Sequence, residues 1–183
     1  MAFKLHRDPT HLYFITATIL DWRRIFLQPT YARIVLDSLD WHRRNDRWML
    51  YSYVLMHSHL HAIVKPQGDR SISGVLQSFG SFTAHAILDR LRSEGRSDWL
   101  ASFARRQEQD VGKGHQIWQP IQAKNVYSIA FLREKVEYIH NNPVAKEWRL
   151  VEDRADYAYS SACFYDRGLV PVVEVDDVRE WFV

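Results

Sequence analysis

Apolar and polar residues follow two alternating periods along this chain. His11 to Leu20, HLYFITATIL, is dense in β-branched and aromatic residues and predicts a strand. Asp21 to Pro29 reads as a loop. From Thr30 to Arg44 the apolar residues Ile34, Val35, Leu39 and Trp41 recur at helical spacing, with Thr30 as N-cap. Trp48 to Met56 and Leu60 to Lys65 predict two more strands, and Pro66-Gln67-Gly68-Asp69 closes the second with a turn. Ser71 to Arg92 predicts a long amphipathic helix with Ile72, Val75, Leu76, Phe79, Phe82, Ile87, Leu88 and Leu91 facing inward. The polar stretch Ser93 to Gly114 reads as a flexible connection, and Gln116 to Val126 holds a short extended piece. Ser128 to Asn141 predicts the last strong helix, with Ile129, Leu132, Val136 and Ile139 on its apolar side. Pro143 ends it, because the residue before a proline is biased out of helical geometry. Beyond lie turns, a short helix near Ser160 to Tyr165 and an apolar run, Leu169 to Val175.

The order β-α-β-β-α-β-α predicts an α+β fold. It matches a ferredoxin-like sandwich: an antiparallel sheet of about four strands with helices on one face, leaving an open face for nucleic acid. With 183 residues and no repeat, the chain reads as one domain, with a core over about 11–145 and a C-terminal extension over 146–183.

Composition narrows the class. Apolar residues make up 46% and charged residues 25%, which is ordinary for a globular protein. Seven Trp, nine Tyr and nine Phe exceed what such a core needs, and exposed aromatics suit stacking on unpaired bases. The net charge of +2 is nearly neutral, but its distribution is not. Arg23-Arg24, Arg43-Arg44, Arg90, Arg92, Arg96, Arg105-Arg106 and Lys113 are basic, whereas Glu174, Asp176, Asp177 and Glu180 gather acid near the end. Without that tail the body is basic, as a phosphate-binding surface requires. Cys163 is the sole cysteine, which excludes an internal disulfide and a Cys-based zinc site. No apolar run approaches ~18 residues, and Met1 to His6 lacks the apolar stretch of a signal peptide, so a cytoplasmic protein is expected.

Two groups of residues carry candidate chemistry. His59 and His61 are two apart on a predicted strand, so both imidazoles point to one sheet face and Leu60 to the other. Such a pair is either the start of a metal site or two hydrogen-bonded histidines. His57 continues the spacing if the strand begins early. The second group is Val136-Glu137-Tyr138-Ile139-His140-Asn141-Asn142-Pro143, where Tyr138 and Asn142 share one helix face and His140 and Asn141 point elsewhere. Tyr138 either enters a site on the neighbouring sheet or packs its ring there. Together the groups suit phosphodiester cleavage: a metal polarises the phosphate, and the tyrosine oxygen attacks it to leave a covalent phosphotyrosine.

These residues also carry a resemblance. His59-Leu60-His61 resembles the HUH motif of single-tyrosine HUH transposases. Met56-His57-Ser58-His59-Leu60-His61 and Tyr138-Ile139-His140-Asn141-Asn142-Pro143-Val144 are similar to two signatures of the REP-associated tyrosine transposases. Ser78-Phe79-Gly80-Ser81-Phe82-Thr83, Trp118-Gln119 and Asp156-Tyr157-Ala158-Tyr159-Ser160-Ser161 resemble three more, so the likeness runs from about Tyr13 to Tyr165. It departs at His57-Ser58, at Pro120-Ile121 and at Trp148, which stands near a usual glycine. The resemblance implies a ferredoxin-like fold, Mg2+ or Mn2+, and palindromic hairpin or single-stranded DNA as partner. It implies Tyr138 as the nucleophile of a 5′-phosphotyrosine link and His59, His61 and Asn142 as metal ligands. A monomer or a homodimer would serve, since related dimers place the tyrosine helix of one subunit at the histidines of the other.

The reading that follows is a metal-dependent single-stranded-DNA endonuclease and strand transferase. A hairpin-binding protein without catalysis is the alternative, and a hydrolase of small phosphodiesters stands behind both. Arg23, Arg24, Arg43, Arg44, Arg90 and Lys124 are the candidates for phosphate contacts, with Arg133 and Lys135 on the tyrosine helix.

Overall fold

The computed structural model describes residues 11–104 and 114–182; Met1 to His6, Arg105, Arg106 and Lys113 lie outside the described residues. The regular elements are β1 (Tyr13–Thr18), α1 (Pro29–Arg44), β2 (Trp48–Leu55), β3 (His59–Pro66), α2 (Ile72–Ser93), α3 (Ser97–Phe103), β4 (Gln122–Asn125), α4 (Ile129–Asn141) and α5 (Ala162–Arg167). The strands form one antiparallel sheet in the order β2-β3-β1-β4. The expected α+β sandwich is therefore present.

Alternation along the strands divides the side chains between two cores. Ile15, Ala17, Leu60, Ala62 and Val64 point to the face covered by α1 and α2, where they meet Val35, Leu39, Val75 and Phe79. Phe14, Val54 and Ile63 point the other way, against Leu132, Val136 and Ile139 of α4. Helices α1 and α2 cover one face as expected, while α4 crosses the face expected to lie open. That placement brings Tyr138 to the histidines.

The structure shifts several boundaries and core positions. Helix α1 starts at Pro29, whose missing N–H costs nothing in a first turn, so Gln28 and not Thr30 is the N-cap. Ser71 and Ser128 cap α2 and α4, each accepting from a backbone N–H three residues on. Trp41 is 48% exposed because the buried stripe of α1 runs through Val35, Ser38, Leu39 and His42. His42 tolerates that position by bonding the Ser38 carbonyl at 2.8 Å. Phe82 is 60% exposed for the same kind of reason. Thr83 takes the core position and satisfies its hydroxyl by donating to the Phe79 carbonyl and accepting from Trp118 Nε1. Ile129 is likewise exposed at the start of α4.

Part of the stretch read as a flexible connection is helix α3, anchored by the fully buried Phe103 and by Trp99 packed beside it. Asn142 keeps helical dihedrals (φ −51°, ψ −48°) before Pro143, and a 3-10 turn, Asn142–Val144, prolongs α4. The acidic tail is part of the fold: Asp176 receives the Leu50 N–H, donates its own N–H to the Leu50 carbonyl, and pairs with Arg43. No described helix is long and apolar enough to cross a membrane.

Candidate active site

Strand β3 begins at His59, so His59 and His61 occupy alternate positions and share the face under α4. Across the ladder they sit opposite Thr18 and Thr16 of β1. Both are buried, with ring centroids 4.9 Å apart. His57 lies before the strand, where its charge still acts on His59, and it adds no third position to the ladder. Its carbonyl instead accepts the Phe26 N–H.

Second partners hold each imidazole. His61 Nδ1 is 3.0 Å from Thr16 Oγ1, and the ring also hydrogen-bonds the Ile15 backbone. His59 Nδ1 is 3.2 Å from Ser58 Oγ, and the Asn142 side chain hydrogen-bonds the His59 ring. Burial pushes His59 down to about 4 and His61 to about 3, with the neighbouring His59 reinforcing the effect on His61. Both rings are thus neutral at pH 7, the form that ligates metals. Burial, helped by Arg24, also lowers His57.

Helix α4 supplies the tyrosine. Tyr138 Oη lies 3.4 Å from His61 Nε2 within one chain, and its ring is 46% exposed. The ring stands edge-on to Phe14 and His61. Lys135, one turn earlier, holds its ammonium 5.4 Å from the Tyr138 ring centroid and 5.5 Å from that of Phe14. Asn142 Nδ2 donates to the Tyr138 carbonyl at 3.1 Å, which orients its amide. Among the described residues no three His, Cys, Asp or Glu side chains converge, so any cation here relies on two imidazoles and an amide oxygen.

The remaining signature residues position this machinery. His140 points away from the site, is buried, and meets Ser161 Oγ at 2.9 Å; that hydroxyl also receives the Tyr53 N–H. Ser161 therefore ties α4 to β2. We expect Ser161→Ala to cost about 1–3 kcal/mol by orphaning buried groups, read as a lower urea midpoint. Trp118 bonds Thr83 of α2, while the Gln119 N–H bonds the Thr18 carbonyl, fixing the chain beside the end of β1. Where the sequence departs from the resembled pattern, Ser58 supports His59, and Trp148 places its ring 5.5 Å from it. The left-handed residue beside Trp148 is Arg149 (φ 42°), the geometry that a glycine suits.

The basic candidates divide. Arg24 lies close enough to His57 to influence it, and Arg23 is its chain neighbour. Lys124 on β4 is opposite Phe14 and so shares the histidine face. The structure does not bring the others into the site. Arg43 pairs with Glu174 and Asp176, Arg44 with Asp40 and Arg90 with Glu94, on helices that cover the opposite face. Sequence reasoning missed Thr16 and Trp22. Thr16 was legible as a polar residue in an apolar strand; Trp22 lies in a loop, where no periodicity marks it.

The site is thus a histidine pair on an antiparallel four-stranded sheet, facing a helix-borne tyrosine. No protein-family model matches this chain, and no curated protein does. Among solved structures, a REP-associated tyrosine transposase bound to a REP hairpin shares the fold. Its TM-score is 0.66 over 97% of this chain and 93% of that one, at 20% identity.

Proposed function

We propose that this protein is a REP-associated tyrosine transposase, which nicks and joins single-stranded DNA next to a hairpin. The observation that carries the reading is the approach of Tyr138 Oη to His61 Nε2 on the face that also holds His59 and Asn142. The fold shared with a hairpin-bound transposase supports the same class.

Two neutral imidazoles and an amide oxygen suit a divalent cation such as Mg2+ or Mn2+, with water and phosphate oxygens completing its shell. When bound, it would polarise the phosphate and offset the negative charge that develops there. The ladder and the Thr16 and Ser58 contacts fix the two rings, so little reorganisation is needed on binding. Tyr138 attacks the phosphorus, giving up its phenol proton. The P–O3′ bond breaks, the 3′ oxygen takes a proton, and the 5′ phosphate stays on the tyrosine. Attack by another 3′ hydroxyl reverses these steps and joins strands. Tyr138 reaches His61 in its own chain, which supports assembly of this site within one subunit. Arg23, Arg24 and Lys124 are the candidates for contacts to the DNA backbone, and Lys135, paired with Glu134, lies beside Tyr138.

Incubation with Mn2+ and a labelled hairpin oligonucleotide carrying single-stranded flanks should give a protein–DNA adduct that survives denaturation and disappears with chelator. Hairpin binding with no adduct under any divalent cation would leave the binding-only reading in its place.

A further inference from the structure

The loop after β1 holds a feature that packing does not explain. Asp21 (φ 54°) and Trp22 (φ 55°) are consecutive non-glycine residues in the left-handed region. That geometry is unfavourable for a bulky side chain and persists only where the surroundings impose it. Here they do. Ile19 N–H bonds the Ser58 carbonyl, Leu20 N–H the Ile117 carbonyl, and Phe26 N–H the His57 carbonyl, so the loop is clamped to the entrance of β3. The strain does not serve burial, because Trp22 remains 56% exposed. It serves position: the indole lies 5.3 Å from the His59 ring.

Trp148 comes to the same imidazole from the other end of the chain, at 5.5 Å and also only partly buried. Its neighbour Arg149 is again left-handed. Two indoles next to a histidine of the site match the chemistry of an unpaired nucleobase. Indole faces stack on any base. The geometry of the site supports this occupant over a protein segment.

We infer that Trp22 and Trp148 form a binding site for an unpaired nucleobase flanking the phosphate that Tyr138 attacks. This rests on the strand-cleavage reading above.

The test compares affinity for a hairpin carrying a single-stranded flank with affinity for the same hairpin made blunt, using the whole chain. Trp22→Gly suits it, since glycine accepts the left-handed backbone and leaves the loop in place. We expect Trp22→Gly to weaken binding of the flanked hairpin about 10–100-fold and to leave the blunt one unchanged. Trp22→Phe should recover most of the loss, and Trp148→Leu should repeat it in part. Abasic sites in the flank should lower wild-type affinity to the level of Trp22→Gly and not lower that variant further. Equal flank affinity in wild-type and Trp22→Gly overturns the inference, as does equal loss on both DNAs. Adduct formation by the wild type, scored on the same flanked hairpin, separates the two readings. An adduct with undiminished Trp22→Gly binding sinks this inference alone; no adduct sinks the cleavage reading and this inference with it.

Discussion

Tyr138→Phe should lose the covalent DNA adduct completely and keep its fold and its hairpin affinity. The hydroxyl makes one protein contact, 3.4 Å to His61 Nε2, from a half-exposed position. A long, partly solvated hydrogen bond contributes less than about 1 kcal/mol, so a thermal midpoint within roughly 4 °C of wild type is expected. The ring contacts to Phe14 and His61 survive in phenylalanine. What disappears is the oxygen proposed to carry the strand. Removing a nucleophile lowers a rate by on the order of 10^4-fold or more, below detection on a denaturing gel. An adduct of wild-type yield in Tyr138→Phe would exclude Tyr138 from the chemistry. The variant also separates the two enzymatic readings, because hydrolysis of a small diester that ignores the substitution would make the histidines the whole site.

Much of this site was legible because its residues obey periodicities. His59 and His61 follow the two-residue repeat of a strand, and Tyr138 and Asn142 the four-residue repeat of a helix, so each pair could be placed on a face from spacing alone. What spacing could not supply was which side of the sheet α4 takes. That depends on two apolar stripes meeting, Phe14, Val54 and Ile63 with Leu132, Val136 and Ile139. Both cores read the same from the sequence, since a strand buried on both faces is a continuous apolar run. Charge was the least legible property. Arg43 looks like a free cation beside Arg44 until the tail returns Glu174 and Asp176 to it across more than a hundred residues. Two of the helix positions misread as core, Trp41 and Phe82, failed for one reason. A polar neighbour, His42 or Thr83, was buried in their place because its hydrogen bonds closed within the fold.

Acid should unfold the metal-free protein well before it protonates the carboxylates. An imidazole in the unfolded chain titrates near 6.5. In the fold, burial lowers His59 to about 4, His61 to about 3 and His140 to about 4. Above pH 6.5 neither state binds these protons and the stability is fully present. As pH falls below 6.5 the unfolded chain takes up protons that the folded one refuses, so stability falls until the folded values are reached. From pH 7 to pH 5 each histidine removes roughly 2 kcal/mol, and the three together about 6 kcal/mol, which is comparable to the whole stability of many domains. Burial lowers His42 in the same direction. Urea midpoints at pH 7, 6 and 5 measure this directly and should drop steeply over the lower interval. Mn2+ at pH 7 should raise the midpoint, because a ligand bound only by the folded state stabilises it. That gain should persist at pH 5, because the folded imidazoles stay neutral down to about pH 4 and protons do not compete with the cation for them. A midpoint that stays level from pH 7 to pH 5 would mean solvated imidazoles in the fold, and with them the case for a dry, neutral histidine pair waiting for a cation would fail.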